Sequence, residues 1–385
     1  MRKNFQISAF FIYNSCLAIF LTYGLFFNKI ATDLGQPPTS IAFVFGVFAI
    51  VYGLSSLFMG FLLDRFGPSR TILLGGGLMG AGLLLSSIAN SIPSLVLAYG
   101  VVGGAGTGSM WPTTSCSVFE TFNRDEMRHI TGIVSAGTAF GSLFFAPLEA
   151  VLIAYFDWRR AFLVLAVIVL TFAVLAALAA SGSRRIEVHR LRTVLGKARS
   201  KRFASLFSYY ALGNAFARTI VMVFVVPMLE SQGASIFVGS LALAMIGAGS
   251  IVGRYTAGSK RFSEEEMSGL SFIIQGASAV LLLYARDIVA VVLLSLMFGI
   301  GYGGYIPQFA LLVRKYFGMK EYGAIFGLLL TSYSLGGFVG PIFEGYTLEV
   351  FGTFTLGFLI AGLASVIVGL HQIILYHRSV GLRKL

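Results

Sequence analysis

The stretch SRRIEVHRLRTVLGKARSKR, residues 183–202, decides the fold. Eight of its 20 residues are Lys or Arg, and it is the one sizeable hydrophilic interruption in the chain. Before it lie six apolar runs, about 5–34, 39–63, 71–90, 93–122, 130–156 and 160–182. After it lie six more, about 203–232, 236–259, 267–285, 288–313, 322–349 and 354–376. A helix needs roughly 20 apolar residues to cross a bilayer. Lipid cannot satisfy an open backbone, and the alternation of a barrel strand is absent, so all twelve runs are expected as helices. The expected fold is an all-α membrane protein of twelve transmembrane helices in two six-helix bundles, 1–182 and 203–385, joined by a basic linker at 183–202.

Composition agrees with that reading. Of 385 residues 57% are apolar and 11% charged, with mean hydropathy +0.85. A soluble domain carries about 25% charge, so soluble cores of this size could not be covered. Gly has no triplet period and the two Cys lie in apolar runs, which excludes collagen and a disulfide scaffold. Met1-Arg2-Lys3 before an apolar stretch is like a signal peptide, but no small-residue cleavage site follows, so an uncleaved first span is expected. The net charge of +12 would point to nucleic acid in a soluble protein. Here the placement of the cations gives a different account. With the N-terminus inside, inner segments hold 22 of the 28 Lys and Arg, and outer segments hold Arg159, Arg160 and Arg286. That bias predicts a multi-pass protein of the cell membrane, surrounded by lipid, with both termini cytoplasmic and no nucleic-acid partner.

The halves repeat. A shift of 195 positions aligns Gly104, Gly106 and Gly108 with Gly299, Gly301 and Gly303, and Pro112 with Pro307. It also aligns Phe122 with Phe317, Glu126 with Glu321 and Glu149 with Glu344. Two halves in one orientation make a transporter architecture with its site near the midplane.

Gly60-Phe61-Leu62-Leu63-Asp64-Arg65-Phe66-Gly67-Pro68-Ser69-Arg70 follows span 2. This resembles the loop signature of the major facilitator superfamily. Gly60 would let a neighbouring helix come close, Asp64 would accept from helix N-terminal amides, and Gly67 would make the turn. With Arg65 and Arg70 these residues are expected to form a cytoplasmic gate. The matching turn, Gly258-Ser259-Lys260-Arg261, keeps the basic pair without the Asp. Thr22-Tyr23-Gly24-Leu25-Phe26-Phe27, the Phe156-Asp157-Trp158-Arg159 corner and Tyr322-Gly323-Ala324-Ile325-Phe326-Gly327 are similar to segments of the monocarboxylate transporters and the bacterial oxalate/formate antiporter group.

Ionisable residues inside spans are candidates for function. Arg254, after Val252-Gly253, stands where the resemblance places a carboxylate-binding Arg, and its planar fork suits a carboxylate; the alternative is a structural Arg snorkelling inward. Arg218, with Asn214 one turn before it, needs an anionic partner, which is either substrate or one of Glu149 and Glu344. Those two glutamates are either proton-coupling groups or the lining of an outer vestibule. Lys29 and Asp33 are expected as an i,i+4 pair at the outer interface. The resemblance implies that Tyr305 and Tyr333 contact substrate, and Trp111 and Tyr23 are further candidates; packing is the alternative for each aromatic. Two departures matter. Leu21 and Ser250 stand where the proton-coupled members carry Lys and Asp, and span 11 lacks the second basic residue of the oxalate exchanger. His129, His189, His371 and His377 make no metal spacing, no nucleophile–base pair is evident, and no cofactor is expected.

The function these features imply is secondary transport of a small organic anion, a monocarboxylate by resemblance, by alternating access, with protons as a candidate second partner and a monomer as the working unit. A drug exporter of the same fold would place acids deep in the bundle, where this chain has Arg. A membrane sensor that does not transport is the alternative of another class.

Overall fold

A computed structural model describes residues 2–122, 124–180, 199–257, 262–318 and 322–381. Residues 183–198 of the basic linker, the Gly258–Arg261 turn and the Asp64 side chain lie outside what is described. The chain divides into two compact units, Met1–Val188 and His189–Leu385. The described residues form helices joined by short turns, without strands.

In the first unit, α1 (Arg2–Ser15), α2 (Leu17–Leu21) and α3 (Gly24–Leu34) cover the first apolar run. They are followed by α4 (Pro38–Phe66), α5 (Pro68–Ser87) and α6 (Ile92–Leu95), a π-helical stretch at Val96–Gly103, then α7 (Gly104–Thr107) and α8 (Met110–Thr121). The last two helices are α9 (Arg124–Tyr155) and α10 (Trp158–Ala179). In the second unit, α11 (Lys201–Ser208) runs through a π-helical stretch, Tyr209–Phe216, into α12 (Ala217–Ser231). Then come α13 (Ile236–Thr256), α14 (Glu264–Leu282), α15 (Ile288–Phe317), α16 (Tyr322–Phe351) and α17 (Thr355–Gly381). Described helix lies within each of the apolar runs, the first carried by three helices and the fourth by several short ones. Nine described helices are long and apolar enough to cross a membrane.

Local chemistry sets the helix ends. Gly67 adopts φ +78° and ends α4, and Pro68 then opens α5 at a position where its missing N–H is no loss. Ser263 caps α14 reciprocally with Glu266: the Ser263 N–H donates to Glu266 Oε2 at 2.9 Å and the Glu266 N–H to Ser263 Oγ at 3.2 Å.

The repeated glycines explain how each bundle packs. A Cβ at Gly104 or Gly108 would collide with α4, at Phe48 O and the Ser55–Ser56 backbone, and one at Gly106 would collide with α5 at Gly75 O and Met79 N. At the shifted positions, Gly299 and Gly303 meet α13 at Ile246 O and Ser250 O, and Gly301 meets α14 at Ser271 O and Gln275 N. Three glycines at one spacing thus wedge a helix between two neighbours in both units, as lipid-embedded helices without a hydrophobic drive require.

A Cβ at Gly60 would meet no described atom within 4 Å. One expectation is corrected. Asp33 does not pair with Lys29, which is exposed. It pairs instead with Arg159, and it accepts from Trp158 Nε1 at 3.3 Å. The second Arg159 nitrogen reaches Ala89 O at 3.1 Å and Asn90 Oδ1 at 3.3 Å, and the guanidinium stacks 4.1 Å from the Trp158 ring. A guanidinium offers several donors and a flat face at once, whereas an ammonium on the same helix offers a solvated point charge.

Candidate functional site

Arg218 is the second residue of α12, directly after the π-helical stretch that carries Asn214. It is 4% exposed. Nη1 donates to Tyr302 Oη at 3.0 Å, and the guanidinium carbon lies 5.0 Å from the Tyr302 ring centre and 4.5 Å from that of Tyr333. Two rings from α15 and α16 therefore enclose the cation, with their negative faces toward it. No carboxylate pairs with Arg218 among the described residues, and its Nε has no hydrogen-bond partner there. The sequence left open whether a glutamate neutralises this arginine. In this structure phenol rings surround it.

Arg254, half-buried in the last turn of α13, brings a second cation near the same Tyr302 hydroxyl. The glycine packing makes this possible. Gly253 and Gly303, each adjacent to one of these residues, let the α13 and α15 backbones touch, at Ile300 O and Ser250 O. Larger residues at either position would separate the helices and the two side chains with them. Asn214 is 0% exposed, and neither its Oδ1 nor its Nδ2 has a partner among the described residues. Ser250 Oγ, one turn before Arg254, is in the same condition. Native interiors leave few such groups unpaired, and those that remain call for an explanation.

The other candidates are placed as follows. Tyr333 belongs to the cage. Tyr305 is 2% exposed, stacks on Phe272 at 5.3 Å and meets Tyr210 edge-on at 5.6 Å, so it fills the core of its unit. The residue that touches Arg218 is Tyr302, one helical turn earlier. Its signal in the sequence was weak, a tyrosine between two glycines that mark close helix contact. Tyr23, in the first unit, is fully buried against Tyr99 and Phe45, and its hydroxyl donates to Ile41 O at 3.2 Å. Trp111 is half-buried in that unit. Arg65 is exposed over the Phe66 ring at 5.4 Å, and Arg70 is exposed. Glu149 and Glu344 are both 0% exposed. Glu344 Oε2 accepts from Thr347 Oγ1 at 3.1 Å and packs on Gly357, where a side chain would overlap it. Among the described residues no three His, Cys, Asp or Glu gather as a metal site.

A permanently charged group with unused N–H donors, walled by aromatic carbon, can receive a small anion with a short apolar body. Comparison with known proteins agrees with the fold that carries it. The chain is 24% identical to monocarboxylate transporter 13 of Bos taurus over 92% of its own length and 85% of the relative's. It is 23% identical to monocarboxylate transporter 12 of Xenopus laevis, over 96% and 88%. Among solved structures, a bacterial homologue of the human lysosomal transporter Spinster, captured inward-facing and occupied, superposes with a TM-score of 0.76 over 97% of this chain and 96% of that one, at 15% identity. The sequence profile of the Major Facilitator Superfamily matches residues 8–257 and 207–384, and with these helices and this internal repeat the chain belongs to that superfamily of membrane transporters.

Proposed function

We propose that this transporter moves a small organic anion, a short monocarboxylate, by opening a site around Arg218 and Arg254 alternately to the two sides of the membrane. One observation carries the reading: Arg218 is a buried cation that no described carboxylate neutralises, held by a tyrosine hydroxyl and two rings. A desolvated charge is costly unless it is paired, and an arriving carboxylate supplies the missing charge and accepts from the unused nitrogens. Arg254 would steady the second carboxylate oxygen or the Tyr302 hydroxyl. Asn214 and Ser250 bring polar groups that are free to bond to the rest of the solute. The naming of relatives as monocarboxylate transporters supports the substrate class. Among the described residues no carboxylate pairs with Arg218, which argues against cationic drugs. Binding favours whichever conformation closes on the solute, so substrate shifts the population by its differential affinity.

The test is a thermal-shift screen of C2–C4 monocarboxylates on detergent-purified protein, followed by uptake of the labelled hit into proteoliposomes. A ligand at 100 times its dissociation constant adds about 2.7 kcal/mol to stability. Uptake should saturate and collapse in Arg218→Ala and Arg254→Ala. Unchanged transport in both variants removes the two arginines from the site.

A further inference from the structure

The first unit contains a second unexplained charge-bearing group, Glu149 on α9. It is 0% exposed, and neither carboxyl oxygen has a hydrogen-bond partner among the described residues. The polar groups beside it are Thr22 and Tyr99, with Tyr23 next to Tyr99. Each of these hydroxyls already donates elsewhere: Thr22 Oγ1 to Ala18 O at 2.8 Å, Tyr99 Oη to Phe20 O at 2.8 Å and Tyr23 Oη to Ile41 O at 3.2 Å. No described cation and no hydrogen bond compensates the burial of this carboxyl, and a buried unpaired charge is costly, so the neutral acid is the form this surrounding favours.

The charged and titratable residues of the helices packed on α9 leave this intact. Tyr13 of α1 is engaged with Ser109 at 3.2 Å, and Lys3 stands 5.2 Å from the Phe122 ring. On α3, Asp33 is on Arg159 of α10 and Lys29 is exposed; Arg160 is with Asp157. Cys16 donates to Ile12 O at 3.7 Å. Among the described residues no cation pairs with the Glu149 carboxyl.

We infer that Glu149 is a proton-binding site, the group that takes up H⁺ from one side of the membrane and returns it to the other during transport. In the step, a carboxylate oxygen exposed to water in another conformation forms an O–H bond with a proton from hydronium, is sealed as the neutral acid in the buried position described here, and releases that proton on re-exposure. Glu344, its partner in the repeat, receives a hydrogen bond from Thr347 at one oxygen and is not assigned this role. The site is distinct from the Lys and Asp positions that the resemblance associates with coupling, which this chain fills with Leu21 and Ser250. Its coupling to solute movement rests on the anion reading above.

Two measurements test it separately. Infrared spectra of the purified wild type at neutral pH should contain a carboxylic-acid C=O band above the amide I region that shifts in D₂O. The band should disappear in Glu149→Gln, move in Glu149→Asp and persist in Glu344→Gln. An unchanged acid band in Glu149→Gln, with loss of carboxylate absorption instead, overturns the proton site whatever the substrate is. In proteoliposomes with labelled pyruvate as the probe, external acid should stimulate wild-type uptake several-fold, and the stimulation should fall to about one-fold in Glu149→Gln. Equal stimulation in a Glu149→Gln protein with a wild-type melting curve overturns the coupling role. If wild type does not move pyruvate, it is the anion reading that fails, and the infrared result still decides on Glu149.

Discussion

Replacing Arg218 by Met should abolish anion binding while leaving the protein as stable as before, and the two halves of that statement follow from the same geometry. In the folded unit the guanidinium gains one hydrogen bond to Tyr302 and two ring contacts, at 5.0 and 4.5 Å. A hydrogen bond to a charged group contributes about 1.5–3 kcal/mol and a desolvated cation–π contact about 2 kcal/mol. Against this stands the loss of hydration of a cation that is 4% exposed, an effective penalty of several kcal/mol. The two sides nearly cancel, and Met fills similar volume without the penalty. Melting should therefore shift by no more than about 4 °C either way, at roughly 2–4 °C per kcal/mol for a unit of this size. Binding has no such compensation. Removing one partner of a buried hydrogen-bonded charge pair costs about 2–5 kcal/mol, which at about 1.4 kcal/mol per decade is a loss of roughly 30-fold to over 10³-fold in affinity. Isothermal titration of the best carboxylate, beside a melting curve in the same detergent, reads both quantities. Arg218→Lys keeps the charge but loses the planar fork, and should fall between wild type and Met. A Met variant that melts far lower yet binds normally would show that the cage is an architectural ion site and would refute the reasoning.

Further outcomes are expected elsewhere. Gly253→Val should drive α13 from α15, since even a Cβ there overlaps Ile300 O; overpacking costs about 1–3 kcal/mol, so both melting temperature and uptake should drop, whereas Gly60→Ala, which meets open space, should match wild type. Asp33→Asn removes the charge that holds Arg159, a partly exposed pair with side chains 30% and 43% accessible; the cost should be about 1 kcal/mol or less and should shrink in high salt. Ser263 hydrogen bonds hold Glu266 below the ordinary carboxylate range, and Lys315 does the same for Glu264. A depressed folded-state pKa means stabilisation that is full above the unfolded value of about 4.3 and lost as pH falls through the folded value. Melting scans on acidification should show this loss, and Glu266→Gln should flatten part of it; an identical acid profile in that variant would exclude the cap as its source.

The sequence by itself determined the class of molecule. A shortage of charge, twelve apolar runs and one basic interruption leave helices in lipid as the structure that satisfies the backbone, and the 195-residue repeat fixes two like bundles. It also singled out Arg218, Arg254, Glu149 and Glu344, because an ionisable residue within an apolar run is conspicuous against its background. Partners were not legible in it. That Arg159 rather than Lys29 holds Asp33, that Tyr302 rather than Tyr305 meets Arg218, and that Glu149 is buried without a hydrogen-bond partner among the described residues depend on which faces of separate helices meet. Helical spacing places a side chain on a face of its own helix. Which neighbour occupies that face is set by close packing at the glycines, and only the tertiary structure decides it.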